Sequence, residues 1–228
     1  MSNDRFNRIN QNVVYSQPSE LASNKVLRNT YMLLSMTLLF SALCAYLGIV
    51  FNLGLINPWV FLVGALGLQF LIHYTANSSF GILATFLFTG FMGLTIGPFL
   101  NLVTSTLSNG GQLVMLAAGG TGLIFFGLSS YVLTTRKDMS FMAGALMTGS
   151  IVAMVALVAS LFLNIPALHL AVCALFMVIS SGIIMFQTSA IVHGGETNYV
   201  LATVSLYLSI YNIFMTLLQL LIAFMGDR

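Results

Sequence analysis

Charged residues are scarce in this chain of 228 residues: only 5% are Asp, Glu, Lys or Arg, against about 25% in an ordinary soluble domain. They are also bunched, because none lies between Arg28 and Arg136, between Asp138 and Glu196, or between Glu196 and Asp227. Uncharged stretches of that length cannot coat a water-soluble surface. With only seven Lys and Arg residues, the chain also lacks the basic surface of a nucleic-acid-binding protein. The composition is that of a membrane protein.

Several functional classes need residues that the apolar stretches lack. A retinal protein needs a lysine at membrane depth, but Lys25 and Lys137 lie in polar segments. A proton or sodium pump keeps carboxylates there, whereas all five Asp and Glu residues lie outside the apolar stretches. Ser129, preceded by Gly127, comes nearest to the nucleophile of an intramembrane serine protease, but Ser130 follows it where glycine is expected. We therefore expect no enzymatic activity, no cofactor and no metal.

The apolar stretches divide at turn-forming residues into seven segments, each near the roughly 20 residues that cross a bilayer as a helix. The predicted spans are 31–51, 55–74, 80–101, 112–134, 140–163, 167–189 and 199–225. A barrel is excluded because it needs two-residue alternation. The predicted fold class is all-α integral membrane, with residues 25–228 forming one seven-helix domain after a mobile polar tail, residues 1–24. Because the loops are short, sequential helices are expected to pack as antiparallel neighbours.

The basic residues orient the chain, since Lys and Arg concentrate on the cytoplasmic side of a membrane. Four of the seven precede the first segment, and Arg136 and Lys137 lie between the fourth and the fifth. Seven crossings put these two regions on the same side. The N-terminus is therefore predicted to be cytoplasmic and Arg228 to lie outside. Six or eight crossings would satisfy the same bias with a cytoplasmic C-terminus.

Polar residues of the seventh segment fall on one face of the predicted helix. At 100° per residue they occupy a stripe about 80° wide; we call it the polar stripe, and its members are Asn198, Ser205, Ser209, Asn212, Thr216 and Gln219. A sparser line follows the sixth segment: Cys173, Ser180 and Gln187. Because amides facing lipid cost several kcal/mol, we expect the seventh helix to lie inside the bundle and to meet the sixth along these lines. The stripe either joins helices through hydrogen bonds or lines a functional cavity.

Two further motifs each admit two interpretations. Gly93 and Gly97 form a G-x-x-x-G pair just before Pro98, which either brings together two helices of one chain or joins two chains. A glycine-containing loop precedes the last segment: His193, Gly194, Gly195 and Glu196. It is either a capped turn or, through His193 and Glu196, a weak metal-binding motif.

Five stretches of the chain resemble the bacterial branch of the Bax inhibitor family. They are KVLRNTY from Lys25, YVLTTRKDMSF from Tyr131, IPALHLA from Ile165, HGGETNY from His193 and ATVSLYLSIYNIF from Ala202. The resemblance extends from about Lys25 to the C-terminus. It implies a multi-pass protein of the bacterial inner membrane whose seventh helix is central and is wrapped by two groups of three helices.

The resemblance also implies two kinds of function. One is a regulator that binds a membrane-anchored AAA protease of the FtsH type, together with its associated membrane proteins, and restrains it. The alternative is a calcium leak gated by an acidic pair on the sixth and seventh helices. Gln187 and Ser209 occupy the positions of that pair, and because neither side chain titrates near neutral pH, the leak mechanism does not carry over unchanged. An amide and a hydroxyl at these positions can instead share a hydrogen bond.

Overall fold

The structure is a computed structural model that describes residues 20–163 and 165–226. Within these ranges the chain forms seven α-helices and no strand. The helices are α1 (Glu20–Val50), α2 (Pro58–Thr75), α3 (Ser79–Thr106), α4 (Gly110–Thr135), α5 (Met142–Leu163), α6 (Pro166–Val192) and α7 (Tyr199–Met225). All seven are long and apolar enough to cross a membrane, so the predicted all-helical fold with seven spanning segments is confirmed.

The start of α1 is where the helix boundaries depart most from the predicted spans. The first apolar run begins near Tyr31, but α1 begins at Glu20. Residues 20–24, which were assigned to the mobile tail, are therefore helical, while residues 1–19 lie outside the described residues. Hydropathy detects only the part of a helix that contacts hydrocarbon, whereas Glu, Leu and Ala at the start of α1 favour a helix in water as well.

Six of the helices form two groups of three that pack in the same way. Among the described helices, α1 and α2 both contact α3 but not each other, and α4 and α5 both contact α6 but not each other. The expectation that sequential helices are neighbours is therefore wrong for these two pairs. Their links, residues 51–57 and 136–141, have enough chain, at about 3.3 Å per residue, to pass a helix packed at about 8–10 Å.

The last helix, α7, contacts all the other described helices except α5. None of its side chains is exposed from Tyr199 to Ile222. On the other helices, by contrast, several large apolar side chains are more than 70% exposed: Leu39, Trp59, Phe70, Leu123 and Phe162. An apolar surface of this extent is unfavourable in water and is the ordinary surface of a protein that faces lipid.

Gly93 and Gly97 of α3 face α1 of the same chain. A Cβ on Gly93 would collide with the carbonyl oxygen of Ser41, and a Cβ on Gly97 would collide with that of Ala45. Without these side chains the two backbones approach closely, so the pair joins two helices of one chain. Pro98 lies inside α3, which continues past it.

Candidate functional site

The polar stripe of α7 lies inside the helix bundle. Ser209 and Thr216 are buried, and the other members are half-buried: Asn198, Ser205, Asn212 and Gln219. The Ser209 hydroxyl donates to the carbonyl oxygen of Ser205 at 2.9 Å, and the Thr216 hydroxyl donates to that of Asn212 at 2.8 Å. These two hydroxyls are satisfied within α7 itself, so they can be buried against other helices without an unpaired donor.

Gln219 joins α7 directly to α6. Its Oε1 lies 2.8 Å from His169 Nε2 and accepts a hydrogen bond from the Cys173 thiol at 3.4 Å. Cys173 is buried, whereas His169 is exposed. The polar lines of the sixth and seventh segments therefore meet at Cys173 and Gln219, at the end of the bundle where α6 begins and α7 ends.

Gln187 and Ser209, the positions of the family's acidic pair, are both buried, with 8% and 2% of their surface exposed. They lie on α6 and α7, two helices that pack against each other extensively. The Ser209 hydroxyl donates to Ser205, and no hydrogen bond joins Gln187 to Ser209 in the described part of the chain. The hydrogen bond expected between them is therefore not formed. Since neither group ionises near neutral pH, these two positions hold no charge.

A buried hydrogen-bond network that the sequence patterns did not reveal lies on the opposite face of α7. Tyr207 is 1% exposed; its hydroxyl lies 2.6 Å from the Ser41 hydroxyl of α1 and donates to the carbonyl oxygen of Thr89 in α3 at 3.3 Å. One phenol thus connects three helices. A buried tyrosine needs a polar partner for its hydroxyl, and that requirement was the signal available in the sequence.

A cavity of about 450 Å³ lies next to this network, between α1 and α4. Four residues of α7 line it: Tyr207, Ile210, Tyr211 and Phe214. None of these residues belongs to the polar stripe, because at 100° per residue they point to the other side of the helix. The open space in this part of the bundle is therefore on the face of α7 that the stripe leaves free.

Three loops at one end of the bundle are held together; we call residues 76–78, 136–141 and 193–198 the loop junction. Asn198 lies at its centre and caps α7, because its side-chain oxygen accepts from the amides of Val200 and Leu201. Its Nδ2 donates to the carbonyl oxygen of Ala76 at 3.1 Å and to Oδ1 of Asn77 at 2.9 Å. A single side chain thus both starts α7 and attaches it to the loop between α2 and α3.

His193 and Ser189 attach the end of α6 to the loop between α4 and α5. His193 Nε2 lies 3.0 Å from the carbonyl oxygen of Arg136, and its Nδ1 lies 2.9 Å from that of Ser189. The Ser189 hydroxyl accepts from the Met139 amide at 2.9 Å and donates to the carbonyl oxygen of Lys137 at 3.2 Å. These contacts complete the loop junction.

The glycines of the predicted motif loop end α6. Gly194 has a φ of 76°, a left-handed backbone that favours glycine, and the amide of Gly195 donates to the carbonyl oxygen of Ala190 at 2.8 Å. Glu196 Oε1 accepts from the Asn198 amide at 2.8 Å, so Glu196 and His193 are engaged in separate hydrogen bonds. The described residues contain no group of three or more His, Cys, Asp or Glu that could hold a metal ion.

Asp138 carries a stabilised negative charge in the loop junction. The amide of Ser140 donates to one of its carboxylate oxygens at 2.8 Å and the Ser140 hydroxyl to the other at 3.0 Å. These two hydrogen bonds, with a smaller contribution from the charge of His193, lower the pKa of Asp138. The contribution of this carboxylate to stability is therefore present above the ordinary Asp pKa and is lost as the pH falls through the lowered value.

Comparison with known proteins places the chain in a family. A family model described as "Inhibitor of apoptosis-promoting Bax1" matches residues 23–226, which include all but the first three residues of the seven helices. The chain belongs to the Bax inhibitor family.

Bacterial members of the Bax inhibitor family are close relatives of this chain. Over 208 residues, 91% of this chain and 94% of theirs, it is 54% identical to two Escherichia coli proteins named "Modulator of FtsH protease YccA" and "Inner membrane protein YccA". It is 52% identical over 195 residues to an uncharacterized protein of Pseudomonas aeruginosa, covering 86% of this chain and 87% of the relative. With seven apolar helices among its described residues, the chain is a multi-pass protein of the bacterial inner membrane.

Proposed function

We propose that this protein is a non-enzymatic regulator that binds a membrane-anchored AAA protease of the FtsH type and restrains its attack on other membrane proteins. One observation carries the proposal: the chain is 54% identical, over 91% of its length, to the relative named "Modulator of FtsH protease YccA". The proposed partners are the protease and the membrane proteins associated with it. A bundle of seven apolar helices lies in the same bilayer as such a partner, so helix surfaces are available for the contact.

The proposed orientation has a cytoplasmic N-terminus, an external C-terminus and α7 as the central helix. The distribution of the basic residues supports the orientation. The contacts of α7 with α1, α2, α3, α4 and α6 support its central position. In this orientation the loop junction faces the cytoplasm, on the same side as the segment that precedes α1.

Reconstitution with a purified FtsH-type protease tests the proposal. Proteoliposomes would contain the protease and a membrane-protein substrate, with or without this protein, and degradation of the substrate would be followed over time. We expect this protein to slow that degradation and to copurify with the protease in mild detergent. A soluble substrate, which needs no extraction from the bilayer, is the control. An unchanged rate for the membrane substrate, together with no copurification, would exclude the proposal.

The polar segment before α1 is the proposed point of engagement for the protease. It is rich in Asn, Ser and Gln and poor in bulky apolar residues, a composition typical of segments that partner proteins capture in extended form. Deleting residues 2–19 removes no residue of the described helices, so we expect normal insertion but a longer lifetime in cells that contain the protease. A variant carrying the same residues in scrambled order is the matched control. Equal lifetimes with and without the segment would show that the protease does not engage it.

A calcium leak remains the alternative, and the observations favour it less. The names of the two Escherichia coli relatives refer to a protease modulator and to the inner membrane, not to ion transport. Gln187 and Ser209 also lack the carboxylates on which the leak mechanism depends.

A further inference from the structure

The cavity beside Tyr207 is a groove that opens sideways between α1 and α4. These two helices do not contact each other within the described residues. Small residues form its two lips, on α1 and α4 respectively: Ser35, Ala42, Ala118 and Gly122. Next to the lips, Leu39 is 73% exposed and Leu123 is 78% exposed. The groove is therefore continuous with the apolar surface that faces the bilayer.

The shape of the groove limits what can occupy it. On α1 its lining extends from Tyr31 to Ala45, about 21 Å at a rise of 1.5 Å per residue. Spread over that length, the volume of about 450 Å³ that is open to the centre of a water molecule is a channel about 5 Å wide. Adding the radius of water, about 1.4 Å on each side, gives a width of about 8 Å, whereas a helix is about 10–12 Å in diameter. A helix of a partner protein or of a second copy does not fit. A single hydrocarbon chain does.

The chemistry of the groove favours an apolar occupant over water. The buried hydroxyls of Tyr207 and Ser41 hydrogen-bond to each other, and Tyr207 also donates to the carbonyl oxygen of Thr89. The buried hydroxyl of Thr121 donates to the carbonyl oxygen of Ala117 at 2.7 Å. Most of the remaining lining is apolar and includes Leu34, Ile96, Phe125 and Phe214. Apolar cavities of this kind stay dry and take up hydrophobic ligands, because an empty cavity forfeits the dispersion contacts of its walls.

The charge beside one end of the groove indicates the class of ligand. Arg28 lies three residues before Tyr31 and seven before Ser35, so it lies close to the face of α1 that lines the groove. Its side chain is exposed. A guanidinium at this point matches the phosphate of a phospholipid.

We propose that the groove binds one acyl chain of a phospholipid, which enters sideways between α1 and α4 while its phosphate lies at Arg28. The acyl chain covers the hydrogen bond between Tyr207 and Ser41 and fills the space that separates α1 from α4. This inference requires only that the protein lies in a bilayer and is independent of the proposed protease partner. Because lipid tails are as apolar as the groove, close packing and the phosphate contact provide the preference over bulk lipid.

Photolabelling with a lipid probe tests this site. The full-length protein would be reconstituted in vesicles of phosphatidylethanolamine and phosphatidylglycerol that contain a phosphatidylglycerol with a diazirine in its acyl chain. After irradiation, labelled residues would be mapped by mass spectrometry. We expect label on Tyr207 and Tyr211, which line the floor of the groove. Label on exposed Leu123 with none on these two tyrosines would overturn the proposal.

A pair of glycine variants on α4 provides the matched control. Gly122 lines the groove, Gly119 does not, and a Cβ at either position meets nothing within 4 Å. Gly122→Trp should fill the groove and abolish the label on the two tyrosines, whereas Gly119→Trp should keep it. Equal labelling in the two variants would exclude the groove as the binding site.

Variants on α1 extend the test to the opposite lip and to the phosphate contact. If Gly122→Trp does not insert, Ala42→Trp should block the groove from the α1 side, with exposed Leu43→Trp as its control. Arg28→Gln should reduce tyrosine labelling by the phosphatidylglycerol probe. Unchanged labelling in Ala42→Trp would also overturn the site, and unchanged labelling in Arg28→Gln would overturn the proposed phosphate contact.

Discussion

Two buried positions, Gln187 and Ser209, lack the carboxylates that a pH-gated calcium leak would need. Neither group titrates near neutral pH, and the Ser209 hydroxyl is committed to Ser205 of its own helix. We therefore expect the purified protein in liposomes to show little calcium flux and no step in it between about pH 6 and pH 8, the range in which histidine titrates. The fluorescence of a calcium-sensitive dye trapped inside the liposomes, recorded at several pH values, measures this flux. A robust pH-gated leak that survives replacement of His73, His169 and His193 would contradict it.

Introducing carboxylates at positions 187 and 209 should produce the pH response that the unmodified protein is expected to lack. Two neighbouring acids in a low-dielectric site share a proton, so their charge changes with pH. Gln187→Glu combined with Ser209→Asp is expected to make calcium flux depend on pH, at some cost in stability. The matched control is Gln187→Glu with Thr216→Asp, because Thr216 lies two turns further along the same buried face of α7. A response in both double variants would mean that the spacing of the pair is irrelevant.

Asn198 has two roles in the loop junction that substitution can separate. Asn198→Ala removes the helix cap, worth about 1 kcal/mol, and both donor contacts to the loop between α2 and α3. Asn198→Asp keeps the cap but loses the donor contacts, so it should be less destabilising, with hydrogen bonds contributing about 1 kcal/mol each. Unfolding in mixed micelles measures both. Asn57→Ala, which removes only the cap of α2, is the control, and an Asn198→Asp variant as stable as the original would contradict the role of the donor contacts.

At the scale of helices, the sequence predicted which segments form helices better than it predicted which of those helices pack against each other. Long apolar runs identify spanning helices because an unpaired backbone is intolerable in hydrocarbon, and all seven were found. Contacts between helices depend on shapes that hydropathy does not contain. The links at residues 51–57 and 136–141 are short, yet each passes another helix. Similarly, no sequence pattern singled out Tyr207, although its hydroxyl connects three helices.

The close contact between α1 and α3 depends on glycine at specific positions. Gly93→Val should destabilise the bundle by about 1–3 kcal/mol, typical of overpacking, because the Ser41 carbonyl must move. Gly119→Val, where a Cβ meets nothing within 4 Å, should stay within about 0.5 kcal/mol of the original. Unfolding in mixed micelles measures both variants. Equal effects would contradict the packing, and a loss of oligomer mass in Gly93→Val alone would favour the interpretation in which the pair joins two chains.

The architecture of the whole molecule suggests a topology without reference to its charges. The loop junction connects the loop before α3, the loop before α5 and the loop before α7, so these three loops lie at one end of the bundle. The 27 residues of α7 span about 40 Å at 1.5 Å each, more than the roughly 30 Å of hydrocarbon. The end of α7 therefore lies at the other end of the bundle from the loop junction.

Reporter fusions test this topology directly. An alkaline phosphatase fusion after Arg228 should be active and a green fluorescent protein fusion there dark, because the C-terminus is expected outside. Both results should reverse for fusions after Lys137, in the loop junction, and a fusion after Asn109, between α3 and α4, should behave like the one after Arg228.

Replacing Arg136 and Lys137 by Gln distinguishes two causes of the orientation, the charge of the basic residues and the constraint of the folded bundle. If charge alone sets it, this variant should give mixed signals, whereas constraint by the folded bundle should leave them unchanged. Cytoplasmic signals after both Lys137 and Arg228 in the original chain would contradict seven crossings, because α7 would then have to begin and end on the same side of the membrane.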